Sequence, residues 1–111
     1  MLTMEQLKKA PPAYVATVHH FSAGVYAREM TLLGGMQAIT HAHKYDHLSI
    51  LAAGIAIVKA GDELTTYHAP ACITIKAGIP HSILAIEDVK WFCIHATDET
   101  DATKLDEVLI E

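Results

Sequence analysis

GMQAITHAHKYDHLSILAAG, Gly35–Gly54, is the stretch that decides how this chain is read. Met36–His43 and His47–Ala52 read as two strands, with Lys44-Tyr45-Asp46 as the turn between them. Side chains two apart on a strand share a face. His41 and His43 are therefore expected to point together, and His47 can return to the same point after the turn. Further on, Gly78-Ile79-Pro80 leads into His81 at the start of another strand. Imidazoles from separate strand positions that face one cavity make a metal site. Neutral imidazole is a good ligand for Zn, Fe, Cu, Ni and Co.

Working outward, the flanking text also reads as strands. Tyr14–Phe21 and Gly24–Leu33 precede the stretch, split by Ser22-Ala23-Gly24. After it come Gly54–Lys59 and Leu64–His68, around the turn Ala60-Gly61-Asp62-Glu63, then Ala71–Ile75, His81–Ile86 and Val89–Ala96. Thr3–Lys9 has room for one or two helical turns before Pro11-Pro12. Thr97–Asp101 offers helix N-caps, and Leu105, Val108 and Leu109 recur at helical spacing, so a short C-terminal helix is expected over about 100–110. Eight or nine short strands at near-regular spacing predict an all-β antiparallel sandwich or barrel, with a core over about 14–96. The helical stretches that a doubly wound α/β fold requires between its strands are missing.

Composition narrows the function classes. The chain has 111 residues, 51% of them hydrophobic and 19% charged, which suits one globular domain over 1–111. Its formal charge is −5, and six of the 13 acids lie in 98–111, leaving the rest of the chain neutral. A protein without a basic patch has little means of holding a phosphate backbone, so no nucleic-acid partner is expected. No apolar run reaches the roughly 18 residues of a spanning helix. Met1–Ala10 has no apolar core of the kind an export signal carries, so a cytoplasmic protein without membrane association is expected. In that setting Cys72 and Cys93 read as buried thiols rather than a disulfide. The feature that stands out is the number of histidines, eight.

Gly35-x5-His41-x-His43-x3-His47-x6-Gly54 resembles the first sequence motif of the cupin superfamily, with His47 where that family usually has glutamate. Gly78-Ile79-Pro80-His81 is similar to the core of the second motif, with Lys76 in place of its proline and Ala85 in place of its asparagine. The resemblance covers about residues 24–96. It implies a small jelly-roll barrel with one divalent metal ion at its open end, held by His41, His43, His47 and His81. It also implies a homodimer or higher homo-oligomer formed by edge-strand exchange. The run from Trp91 to Asp101 looks like that of small cupin-domain proteins of bacteriophage genomes.

An all-histidine set is neutral, unlike one that contains a carboxylate. It leaves the ion a stronger Lewis acid and suits Zn²⁺, Fe²⁺, Ni²⁺ or Cu²⁺ better than Mn²⁺. Two roles are open for His47, a fourth ligand or a base beside a three-histidine centre. The competing reading of all four residues is a pocket without metal, in which the imidazoles hydrogen-bond a ligand.

Residues that could line the pocket follow from strand parity. Tyr26, Arg28 and Met30 share one face of their strand, and an inward Arg28 could anchor a carboxylate or phosphate. The alternative is a solvated or interfacial charge. Trp91, Cys93 and His95 share a face of the last strand and either line the cavity or pack the core. Glu87 shares parity with His81 and is an acid/base candidate. Three functions stay open. One is a metalloenzyme with oxygenase, isomerase or lyase chemistry on a small carbonyl or acidic compound. Another is a non-catalytic module for a small-molecule ligand or metal. The third is a structural or assembly protein stabilised by its metal.

Overall fold

Burial along Val89–Ala96 alternates residue by residue. Val89, Trp91, Cys93 and His95 are buried, while Lys90, Phe92 and Ile94 are only partly so. That period of two belongs to a strand with one face on a core and the other toward solvent. The computed structural model describes residues 16–40 and 42–105 and forms nine strands from this pattern. They are β1 (Ala16–Ser22), β2 (Val25–Leu32), β3 (Gln37–Thr40), β4 (His47–Ala53), β5 (Ile55–Ala60), β6 (Glu63–His68), β7 (Ala71–Ile75), β8 (His81–Ala85) and β9 (Val89–Ala96).

Two antiparallel sheets result, one in the order β1-β2-β9-β4-β7 and the other β3-β8-β5-β6. The core lies between them. Leu51, Val89 and Trp91 come from the five-stranded sheet, and Ala56, Val58, Ile83 and Ala85 from the four-stranded one. Burying these apolar faces against each other is the main stabilising term, at about 25 cal/mol per Å² removed from water.

The turn from β4 into β5 shows why one motif glycine is required. Gly54 has φ +90°, and a Cβ built there would lie 2.1 Å from the Asp88 carbonyl oxygen. Only a residue without a side chain fits both the left-handed backbone and the approach of Asp88. The register between β4 and β9 also shifts just before it, between Leu51 and Ala53, as at a β-bulge.

Four expectations change at this level. β3 ends at Thr40, so His43 stands off that strand rather than on it. β8 ends at Ala85, which leaves Glu87 exposed in the following turn and away from the strand face it was expected to share with His81. Cys72 is exposed, because on β7 it has the outward parity of Thr74 while Ile73 and Ile75 face the core. At the end of the chain, Ala102–Lys104 forms a single 3-10 turn, with Asp101 accepting the Thr103 N–H at 2.9 Å. Leu105 then packs against Tyr26, and the remainder of the expected helix, like Thr3–Lys9, lies outside the described residues. Among the described residues, no helix is long and apolar enough to cross a membrane.

Candidate metal centre

The segment between β3 and β4 is tied down by the loop between β7 and β8. Gly78 donates its N–H to the His43 carbonyl at 3.0 Å, and Ala77 donates its N–H to Asp46 Oδ1 at 2.7 Å. Lys76 Nζ adds an exposed ion pair to Asp46 at 3.6 Å. Hydrogen-bonding to Ala77 is the main reason the Asp46 carboxyl sits below its ordinary range. These bonds hold His43 by its backbone and deliver His47 onto the first position of β4, opposite Ile75.

His47 faces inward there, as do Ser49 and Leu51 two and four residues on. β9 runs beside β4 with Leu48 opposite Ile94, which places the inward His95 next to His47. Three imidazoles meet. Candidate ligand atoms of His43, His47 and His95 lie within 4.8 Å of one another, and all three residues are buried. The ring centroids of His47 and His95 are 4.2 Å apart, and those of His43 and His47 4.6 Å. The Nδ1 atoms of His43 and His47 are 3.2 Å apart, so one ring carries the proton and the other accepts it.

Burial and mutual proximity hold His47 and His95 in the neutral form. His47 is lowered to about 4, first by burial and then by the neighbouring His43, His81 and Arg28. His95 is lowered to about 3, again by burial first, then by His47, His43 and Arg28. Neutral imidazole is the form that binds a metal ion, so the donor set fits a divalent transition metal. No carboxylate belongs to this cluster among the described residues.

The other residues singled out in the sequence take distinct places. His41 lies outside the described residues. His81 is buried at the start of β8 and shares a small cavity with His43 and His47, but the mutually close trio has His95 in its stead. Its Nδ1 donates to the Ile79 carbonyl at 2.7 Å, which puts the lone pair of the neutral ring on Nε2. Trp91 and Cys93 line the same small cavity from β9. Tyr26 is fully buried and stacks on His95 with centroids 6.0 Å apart. Its hydroxyl accepts from Arg28 Nε at 3.0 Å and lies 2.6 Å from His19 Nδ1. Arg28 is thus braced on β2, with its charge felt at both His47 and His95.

A larger basin of about 380 Å³ opens at His47 and His95, walled mostly by apolar Val25, Leu48, Ile94 and Ala96, with Asp46 and Thr74 at its edge. Sequence reasoning had placed His95 only as a lining residue. It gave no role to Asp46 or Ser49. The first depends on the pairing of β4 with β9, and the second on a bond to a loop 31 residues away, Asp46 to Ala77.

No protein-family model matches the chain, and no curated protein matches it. Solved structures do. A protein from Photorhabdus luminescens is 17% identical, with a TM-score of 0.68 over 90% of each chain. An RmlC-like cupin family protein with a double-stranded β-helix fold, from Methanocaldococcus jannaschii, is 15% identical, with a TM-score of 0.66 over 77% of this chain and 82% of that one. Salicylate 1,2-dioxygenase from Pseudoaminobacter salicylatoxidans is 13% identical, with a TM-score of 0.67 over 81% of this chain and 30% of the enzyme. Strand order, sheet pairing and these neighbours agree, and the chain has the double-stranded β-helix fold of the cupin superfamily.

Proposed function

We propose that the protein is a metal-binding cupin that holds one divalent ion on an all-histidine site. The observation that carries this reading is the trio His43, His47 and His95, buried and within 4.8 Å of one another, with His47 and His95 held neutral. His81, from the facing sheet, adjoins His43 and His47 across the small cavity, and the sequence motif adds His41 as a further candidate ligand. Bound there, the ion would supply Lewis acidity toward an oxygen atom of a small ligand. The neutral donor set favours Zn²⁺, Fe²⁺, Ni²⁺ or Cu²⁺ over Mn²⁺.

The residues around the site suit a small, mostly apolar ligand with one acidic or carbonyl end. The basin's apolar wall, open to solvent, suits the apolar body of the molecule. Arg28, braced by Tyr26, supplies positive charge toward the imidazoles and would favour an anionic end group. Oxygenase or isomerase chemistry fits this arrangement, and the dioxygenase built on the same fold supports the first.

One observation favours a second reading, a binding module without turnover. Asp46 is the carboxylate among the described residues lining the basin, and it is engaged by Ala77 and Lys76 rather than poised as a base. Metal analysis of protein purified without added metal decides between them. Stoichiometric iron with oxygen uptake supports the oxygenase. Stoichiometric zinc or nickel without turnover supports the binding module. Protein that takes up no divalent ion from any of these salts refutes both.

A further inference from the structure

Trp91 sits in the middle of β9 with 1% of its surface exposed, and its indole Nε1 has no hydrogen-bond partner among the described residues. An indole nitrogen only donates. A buried donor left without an acceptor is costly, and native interiors rarely keep one. Trp91 lines a small, partly open cavity of about 10 Å³ together with Ser49, Cys93, His43, His47 and His81. That volume corresponds to one water-sized molecule. The adjoining Ser49 hydroxyl donates to Cys93 Sγ at a long 3.8 Å. None of the acceptors on the cavity wall, Ser49 Oγ, Cys93 Sγ or the imidazole nitrogens, hydrogen-bonds the indole N–H, so a partner for it has to come from the cavity itself.

We propose that this cavity is a subsite for a single oxygen-sized acceptor, water or hydroxide, received by the Trp91 N–H and adjoining the imidazoles of His43 and His47. The inference rests on the metal reading for the hydroxide form, because a bound ion is what makes hydroxide available near neutral pH. It stands without the metal for the water form. Trp91 is then a positioning residue, selecting a one-atom ligand by size and by its demand for an acceptor.

Trp91 is the chain's single tryptophan, so its indole gives one proton–nitrogen cross-peak. In the metal-free protein, that proton is expected to show magnetisation transfer from a long-lived bound water. A folded protein lacking this transfer overturns the proposal. In zinc-loaded protein, fluoride serves as the one-atom mimic of hydroxide. It is expected to bind saturably by fluorine magnetic resonance and to shift the indole cross-peak, while iodide, too large for the cavity, does neither. Trp91→Phe removes the N–H and keeps most of the apolar volume. It should retain stoichiometric zinc and bind fluoride about tenfold more weakly, the loss of roughly one hydrogen bond. Equal fluoride affinity in both proteins overturns the proposal. If the wild-type chain takes up no zinc, the metal reading falls, and the water measurement alone decides this one.

Discussion

Asp46 accepts the backbone N–H of Ala77 at 2.7 Å, and through that bond the loop before β8 sets the position of the turn before β4. Both segments carry histidines of the site, His43 and His47 on one and His81 on the other. Asp46→Ala should therefore loosen the site without removing a ligand. The expected effect is about a tenfold loss of zinc affinity with stoichiometry unchanged, as is typical when a group that orients a ligand is deleted. Competition against a chromophoric chelator measures it, and unchanged affinity would show that the staple is not needed for binding.

The three clustered imidazoles should dominate metal retention. His43→Ala is expected to abolish stoichiometric metal, whereas His68→Ala, at the end of β6, should leave it intact. His95→Ala should weaken binding more than His81→Ala, because His95 belongs to the close trio and His81 does not. Elemental analysis of the four variants after dialysis gives the ranking. Greater loss in His81→Ala than in His95→Ala would return the ligand set to the one implied by the sequence motifs.

In the cupin motif that Gly35–Gly54 resembles, His47 stands where glutamate is usual, and it opens β4 facing the core. His47→Glu should keep a metal and shift preference toward Mn²⁺ or Fe²⁺, since a carboxylate adds a hard, negative ligand. Relative affinities for Zn²⁺ and Mn²⁺ test this. Complete loss of metal would argue that the position cannot serve as a ligand.

How far the site could be read beforehand depended on sequence distance. His43 and His47 are four residues apart, and the turn between them is visible in the text. His95 was legible only as an inward residue of the last strand. Its nearness to His47 comes from the β4–β9 register, a pairing across the chain that no local pattern encodes. Strands were the more legible part, because alternating burial imposes a period of two. Errors arose where that period carries no information. Cys72 lies in Ala-Cys-Ile, where a small thiol reads as apolar on either face. His43 was assigned to a strand, but a backbone bond from Gly78 takes it over beyond Thr40.

Acidity should weaken the metal-free fold through the same imidazoles. His47 is held at about 4 and His95 at about 3, both below the ordinary 6.5. As pH falls below about 6.5 the unfolded chain takes up protons that the folded one refuses. The stability these neutral rings contribute is thus complete above about pH 6.5 and is lost as pH drops through the folded values. The Tm of metal-free protein is expected to decline from neutral pH toward about 4, and the decline should be shallower in His95→Gln. Equal slopes in the two proteins would count against it.

Gly54→Ala should destabilise the fold by about 3 kcal/mol or more, from the strained backbone and the contact with the Asp88 carbonyl. Chemical denaturation measures it, and a loss below about 1 kcal/mol would mean that the β4–β5 corner yields easily.

His47 and His95 ride on β4 and β9, neighbours that are each flanked on both edges within the five-stranded sheet. Every bond of those two ladders would have to open before the rings could drift apart. Their amides should therefore be among the slowest to exchange with heavy water. The cluster is assembled by the act of folding, so an arriving ion finds its donors already in place and has little ordering left to do.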